Sequence, residues 1–360
     1  MATYDAATKT FTIIAADPIF FWLFESIPGA NVIGDGRDNI LNGNSSDNRM
    51  EGGSGDDSLD GYAGVDTLVG GLGRDFYAVD NLLDVVVEDF NSGERDYVRA
   101  SVSYVLSANV EELRLKEGAG NINGTGNNLN NDLIGNEGDN RLEGLDGIDF
   151  LDGGLGADVL IGGAGNDRYD VDNVGDQVIE NAEGGWDDIV FTTIDYTLPS
   201  EVESLMASTA KSLRLTGNEL NNVILGSDGK DVLQGMTGKD TIGGGYGNDT
   251  LRGGLGKDVF VFDTKLNKSK NLDRVMDYKV ADDTIWLDNK IFRKLVKAGA
   301  LSKSSFVAGA TAKDSNDFIG YDKSTGYLWY DANGSASGGQ TYFAKLKAGL
   351  LMSASEFKIT

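Results

Sequence analysis

The sequence predicts an all-β fold: a parallel β-solenoid of stacked coils, closed at its C-terminal end by a β-rich cap. Two observations carry that prediction. Fifteen nine-residue units, in three blocks of five, place Gly first, Asp or Asn sixth and an apolar or aromatic residue eighth; so short a period, held without slippage, marks stacked turns. The blocks repeat in turn, with Asp167 lying 92 residues after Asp75 and Asp258 lying 91 after Asp167. A module of about ninety residues is therefore the duplicated unit.

Taken in order, residues 1–33 are an N-terminal cap whose apolar run at 19–24 is too short for a membrane span or a signal peptide. Block 1 occupies 34–78, block 2 occupies 126–170 and block 3 occupies 217–262. The eighth places are Leu41, Met50, Leu59, Leu68 and Tyr77, then Leu133, Leu142, Leu151, Leu160 and Tyr169, then Ile224, Leu233, Ile242, Leu251 and Phe260. One side chain per unit is thus reserved for an interior. Between the blocks, 79–125 and 171–216 carry short β-rich runs and are expected to add longer, ion-free coils. The spacers are related, since Val85-Val86-Val87-Glu88 resembles Gln177-Val178-Ile179-Glu180. Residues 263–360 lose glycine and gain lysine; they are expected to cap the stack, with a short helix over 289–297 and a hairpin pairing 318–322 with 327–331.

Composition narrows the chemistry. Fifty glycines in 360 residues would suggest disorder if scattered, but at fixed places they indicate positive φ or close backbone approach. A net charge of −26 argues against nucleic acid and anionic membrane and favours a divalent cation as partner. There is no Cys and no His, which excludes disulfides, thiolate sites, Ser-His-Asp triads and imidazole bases.

If each unit makes one turn and one strand, two units complete a coil of eighteen residues and turns on one edge stack about 4.8 Å apart. Calcium takes oxygens at about 2.3–2.6 Å, so one ion spans that gap. The sixth places supply the acids: Asp57, Asp66, Asp75, Asp149, Asp158, Asp167, Asp231, Asp240, Asp249 and Asp258, with the amides Asn39, Asn48, Asn131, Asn140 and Asn222 opening the blocks. Pairs eighteen apart with Asp at both ends are Asp57 with Asp75, Asp149 with Asp167, Asp231 with Asp249 and Asp240 with Asp258. Pairs that begin with Asn should bind more weakly. Backbone carbonyls of Gly53, Gly55, Gly71, Gly73, Gly147, Gly154, Gly156, Gly163, Gly165, Gly229, Gly238, Gly245, Gly247, Gly254 and Gly256 are the expected further donors. Up to about nine Ca²⁺ ions follow, and nine would bring the charge to about −8.

These units resemble the RTX, or haemolysin-type calcium-binding, nonapeptide family, whose pattern is Gly-Gly-x-Gly-x-Asp followed by x-apolar-x; Gly244-Gly245-Tyr246-Gly247-Asn248-Asp249-Thr250-Leu251-Arg252 is the best copy. The resemblance implies a parallel β-roll with Ca²⁺ in its turns, bacterial origin, and export by a type I system reading an uncleaved C-terminal signal. The segments 273–278 and 282–287 resemble the closing segment of RTX exoproteases. The fourth place is Arg37, Ser46, Leu129 or Leu220 where the family has Gly, all at block starts, so those turns are expected to bind poorly. The stretch opening at Asp331 begins like an EF-hand loop but carries Ala336 and Tyr342 where Gly and Glu belong.

The expected function is a secreted, non-enzymatic calcium-binding protein that folds outside the cell and acts at a surface or in a matrix. The alternative is a polysaccharide-binding or uronate-modifying solenoid acting on alginate- or pectin-type chains. A pore-forming fragment would need long apolar helices that the sequence lacks.

Overall fold

The computed structural model describes residues 2–13, 20–22, 27–90, 95–182, 184–335 and 338–360. The chain divides into two compact units, Met1–Gly185 and Trp186–Thr360. Among the described residues the regular structure is strand throughout, apart from two single 3₁₀ turns at Lys303–Ser305 and Ala354–Glu356. The fold is a parallel β-solenoid.

In the first unit successive nonapeptides alternate between two sheets, so two units make one coil. Ile40–Asn42, Ser58–Asp60 and Phe76–Val79 stack in parallel on one sheet, with Leu41 opposite Leu59 and Leu59 opposite Tyr77. Arg49–Ser54 and Thr67–Leu72 stack on the other, with Met50 opposite Leu68. Partners are eighteen residues apart, as a coil of two nonapeptides requires. The stack runs on through spacer strands: Val85–Val87 joins Thr67–Leu72, and Tyr97–Ala100 pairs with both Phe76–Val79 and Glu112–Leu115. Asp132–Ile134, Phe150–Asp152 and Arg168–Val171 extend that sheet, while Arg141–Asp146 and Val159–Ala164 form the facing one.

The second unit repeats the arrangement. Val223–Leu225, Thr241–Gly243 and Val259–Phe262 stack on one sheet, and Val232–Gly238 and Thr250–Gly256 on the other. All fifteen eighth-place side chains are fully buried. This column of apolar groups is the core, and at about 25 cal/mol per Å² its burial is the main stabilising term of each coil.

At the N-terminus, Phe20–Trp22 pairs in parallel with Ile40–Asn42, and Thr10–Ile13 with Asn31–Ile33. The rest of the apolar run at 19–24 lies outside the described residues. The hairpin forms as the sequence indicates, with Ile319–Tyr321 antiparallel to Tyr327–Asp331. The helix expected over 289–297 does not form. Main-chain hydrogen bonds from Ile291 and Phe292 to Asp288, and from Leu295 to Phe292, make turns instead. That segment has no acid to pair with Lys290, Arg293, Lys294 and Lys297, and an isolated helix of nine residues is marginal. Burying Phe292 and Leu295 decides the path.

Candidate metal centre

The turn geometry follows from what each glycine faces. At the first place, a Cβ on Gly52 would meet the Asp57 carboxylate, and one on Gly144 would meet both the Asp149 carboxylate and the carbonyl oxygen of Gly162, one coil on. Only hydrogen fits there. At the second and fourth places the backbone turns left-handed, with φ of +113° at Gly53 and +105° at Gly55. Carbonyls point along the stack: those of Gly53, Gly55, Gly147, Gly229 and Gly238 face the glycine one coil later, at Gly71, Gly73, Gly165, Gly247 and Gly256. Other carbonyls in the expected set are engaged: Gly254 accepts from Lys279 Nζ at 2.6 Å and Gly245 from Thr264 Oγ1 at 2.9 Å.

Each sixth-place carboxylate bridges two coils. The Oδ1 of Asp75 accepts the Asp57 N–H at 2.7 Å, Asp167 accepts that of Asp149 at 2.7 Å, Asp249 that of Asp231 at 2.8 Å and Asp258 that of Asp240 at 3.1 Å. All four Asp–Asp pairs are therefore brought together. The second oxygen is different: Oδ2 of Asp57, Asp66, Asp75, Asp149, Asp158, Asp240, Asp249 and Asp258 is buried without a hydrogen-bond partner. A buried carboxylate oxygen with no donor costs several kcal/mol unless a proton or a cation reaches it. The same groups titrate high because burial penalises their charge. Asp57 and Asp249 are pushed up to about 8, Asp66, Asp149, Asp158 and Asp240 to about 7, and Asp75 and Asp167 to about 6. Neighbouring carboxylates add to the rise at most of them.

The block-opening amides are placed otherwise. The Oδ1 of Asn39, Asn48, Asn131, Asn140 and Asn222 accepts the N–H four residues earlier, at 2.7–2.9 Å. The NH₂ groups of Asn48, Asn131, Asn140 and Asn222 reach back to carbonyls of the previous coil, as Asn48 does to Ala30 at 2.7 Å and Asn140 to Ile122 at 2.6 Å. Asn serves here because a neutral amide both donates and accepts. Asp231 is hydrogen-bonded through both oxygens, to the N–H groups of Leu213 and Ser227.

The carboxylate column also runs past the nonapeptides. Asp84 and Asp176 cap the N–H groups of Asp66 and Asp158 eighteen residues back, and Asp96, Asp273 and Asp283 cap Asp75, Asp249 and Asp258 at longer spacings. Continuing the eighteen-residue count would have found the first two. The others stand at 21, 24 and 25 residues, off the eighteen-residue count.

Stacked glycine turns, carbonyls pointing along the stack and buried, unpartnered carboxylate oxygens define a hard-cation solenoid. The comparisons agree: the model of the RTX calcium-binding nonapeptide repeat (4 copies) matches residues 33–68, 42–77, 125–157, 134–169, 143–177, 216–251 and 225–260. No curated protein matches the chain. The chain is a calcium-binding β-roll protein carrying RTX nonapeptide repeats across residues 33–260. The orphan Oδ2 atoms and the space left by the first-place glycines fit calcium. Bound there, Ca²⁺ supplies positive charge that lets these acids ionise while buried.

Proposed function

We propose that the protein is a secreted, non-enzymatic factor that is largely unfolded where calcium is scarce and folds into its β-roll in extracellular calcium, acting at a cell surface or in a matrix. The column of buried Oδ2 atoms without donors carries this reading, because the stack is incomplete without a cation. We assign Asp57, Asp66, Asp75, Asp149, Asp158, Asp167, Asp240, Asp249 and Asp258 as side-chain ligands and the carbonyls of Gly53, Gly55, Gly147, Gly229 and Gly238 as main-chain ligands. The asparagines and Asp231 act as caps that fix the turns. A catalytic role finds little support in a chain without His or Cys. RTX proteins are generally secreted, and no helix among the described residues is long and apolar enough to cross a membrane.

Circular dichroism during a Ca²⁺ titration, with Mg²⁺ as control, tests the coupling. Strand signal should appear with Ca²⁺ in the 10⁻⁴ to 10⁻³ M range typical of extracellular modules, and Asp240→Ala should shift the midpoint upward. A chelated chain already β-rich at neutral pH and unmoved by calcium would overturn the reading. Deleting residues 263–360 should retain the chain inside the producing cell.

A further inference from the structure

The glycine column ends differently in different blocks. In block 1 the first places at one edge run Gly34, Gly52 and Gly70, and the next position eighteen residues on is Glu88. In block 2 the column Gly126, Gly144 and Gly162 ends likewise at Glu180. Each glutamate replaces a first-place glycine in the coil just past its block, and its carboxylate folds back over the last glycine.

Three oxygens converge on the space above Gly70, where a Cβ would stand: Asp75 Oδ2, Glu88 Oε1 and the Tyr77 hydroxyl. Asp75 and Tyr77 are fully buried and Glu88 is 7 % exposed. Tyr77 donates its O–H to Glu88, while Asp75 Oδ2 is buried with no hydrogen-bond partner. Buried Asp96 completes the group, with the ligand oxygens of Asp75, Glu88 and Asp96 all within 4.8 Å of one another. Two Ca–O bonds of about 2.3–2.6 Å span that separation. Asp167, Glu180 and Tyr169 converge above Gly162 in the same way, and Tyr169 bonds Glu180 as Tyr77 bonds Glu88.

Block 3 provides an internal contrast. Its last eighth place is Phe260, which has no hydroxyl, and Asp277 donates no ligand to a shared space: its two oxygens accept the N–H groups of Gly253 and Gly254 at 3.1 Å each. There the column ends in an ordinary carboxylate cap.

We propose that blocks 1 and 2 each end in a second kind of cation centre, for a hard divalent ion such as Ca²⁺, held by the terminal repeat aspartate, the spacer glutamate at Glu88 or Glu180, and the hydroxyl of Tyr77 or Tyr169, with Asp96 as a further acid in the first. This rests on the calcium-binding reading of the repeats and adds two ions that the nonapeptide pattern does not contain. The spacers, expected from sequence to be ion-free, thereby become part of the metal-coupled structure.

The test compares the full chain with Glu88→Gln/Glu180→Gln by calorimetric calcium titration, with circular dichroism confirming folding at saturating calcium. The wild type should bind two more ions per chain than the variant, or bind two of its ions at least about tenfold more tightly, since affinity follows the ligand charge count. Equal stoichiometry and affinity would overturn the proposal, leaving the clusters as hydrogen-bonded caps while the repeat sites stand. A wild type that binds no calcium would instead overturn the reading of the whole roll. Tyr77→Phe/Tyr169→Phe keeps every acid and both buried rings and gives an independent readout with Tb³⁺ in place of Ca²⁺. Tyrosine-excited Tb³⁺ emission should fall in this variant, and unchanged emission would remove the hydroxyls from the centre.

Discussion

The first-place glycines are constrained by contact rather than by φ. Gly144 has a backbone that any residue adopts, yet a methyl group there would meet the Asp149 carboxylate and the Gly162 carbonyl, and a carbonyl within a parallel stack has no room to retreat. Gly144→Ala should therefore lower the melting temperature in saturating calcium by roughly 2–10 °C, the cost of overpacking by one methyl. Gly36→Ala, where nothing lies within 4 Å, should change it little. Equal shifts for the two would mean that backbone entropy, not contact, sets the cost of replacing these glycines. The opposite case occurs at Met236, a second-place residue with φ of +81° where the pattern has Gly. Met236→Gly should stabilise the protein by about 0.5–1 kcal/mol by relieving left-handed strain, read as a higher midpoint in chemical denaturation. Sequence alone marked these places as glycine-requiring, but it did not separate the two reasons. That distinction needs the coil above.

A block behaves as one titrating element. Without metal, Asp57, Asp66 and Asp75 of block 1 hold their protons more tightly in the fold than in the unfolded chain, where an Asp titrates near 3.9. Their contribution to stability is therefore fully present below about pH 4 and lost as pH rises through their folded values of about 6 to 8. Calcium reverses the sense, since it binds the ionised form and releases protons. The metal-free chain should show more strand signal at pH 5 than at pH 8, while calcium affinity should rise across the same interval, with proton release in a weakly buffered titration. Strand content that rises with pH in chelator would contradict this sign. The element scale was also the most legible in the sequence: the period of nine fixed the strands, their eighteen-residue register and the buried eighth places. Glu88 and Glu180 were visible only as a resemblance between spacers, because their meaning depends on standing one coil beyond Gly70 and Gly162. Asp96 stayed hidden because it stands three residues beyond the eighteen-residue count from Asp75, and the turns at 289–297 were misread because basic residues with apolar neighbours mimic a helical face.

At the scale of the whole molecule, a solenoid grows by stacking and must be stopped, or its last strand presents an open edge. In the second unit the stop includes the last residues of the chain. Phe357–Ile359 pairs in parallel with Thr284–Leu287, placing Phe357 opposite Ile285 and Ile359 opposite Leu287, and all four side chains are buried. Lys358 Nζ sits 4.3 Å from the Trp286 ring centre, and the antiparallel strand Gly299–Ala300 covers the outer edge of Phe357–Ile359. Ser353 and Glu356 form a capping box that leads the chain into this strand. Removing residues 353–360 should expose the Thr284–Leu287 edge, lower the melting temperature in calcium and promote association, measured by light scattering. A truncated chain that stays monomeric and equally stable would show that other segments close the roll. The same burial bears on the proposed export, because residues packed against Ile285 and Leu287 are readable only while this unit is unfolded. Mutations that stabilise the metal-free fold of this unit, such as Asp240→Asn/Asp258→Asn, which removes two buried carboxylates at little change in shape, should therefore reduce secretion even though the tail is intact. Undiminished secretion of a chain shown to be folded inside the cell would separate capping from export and assign the signal to residues outside this strand.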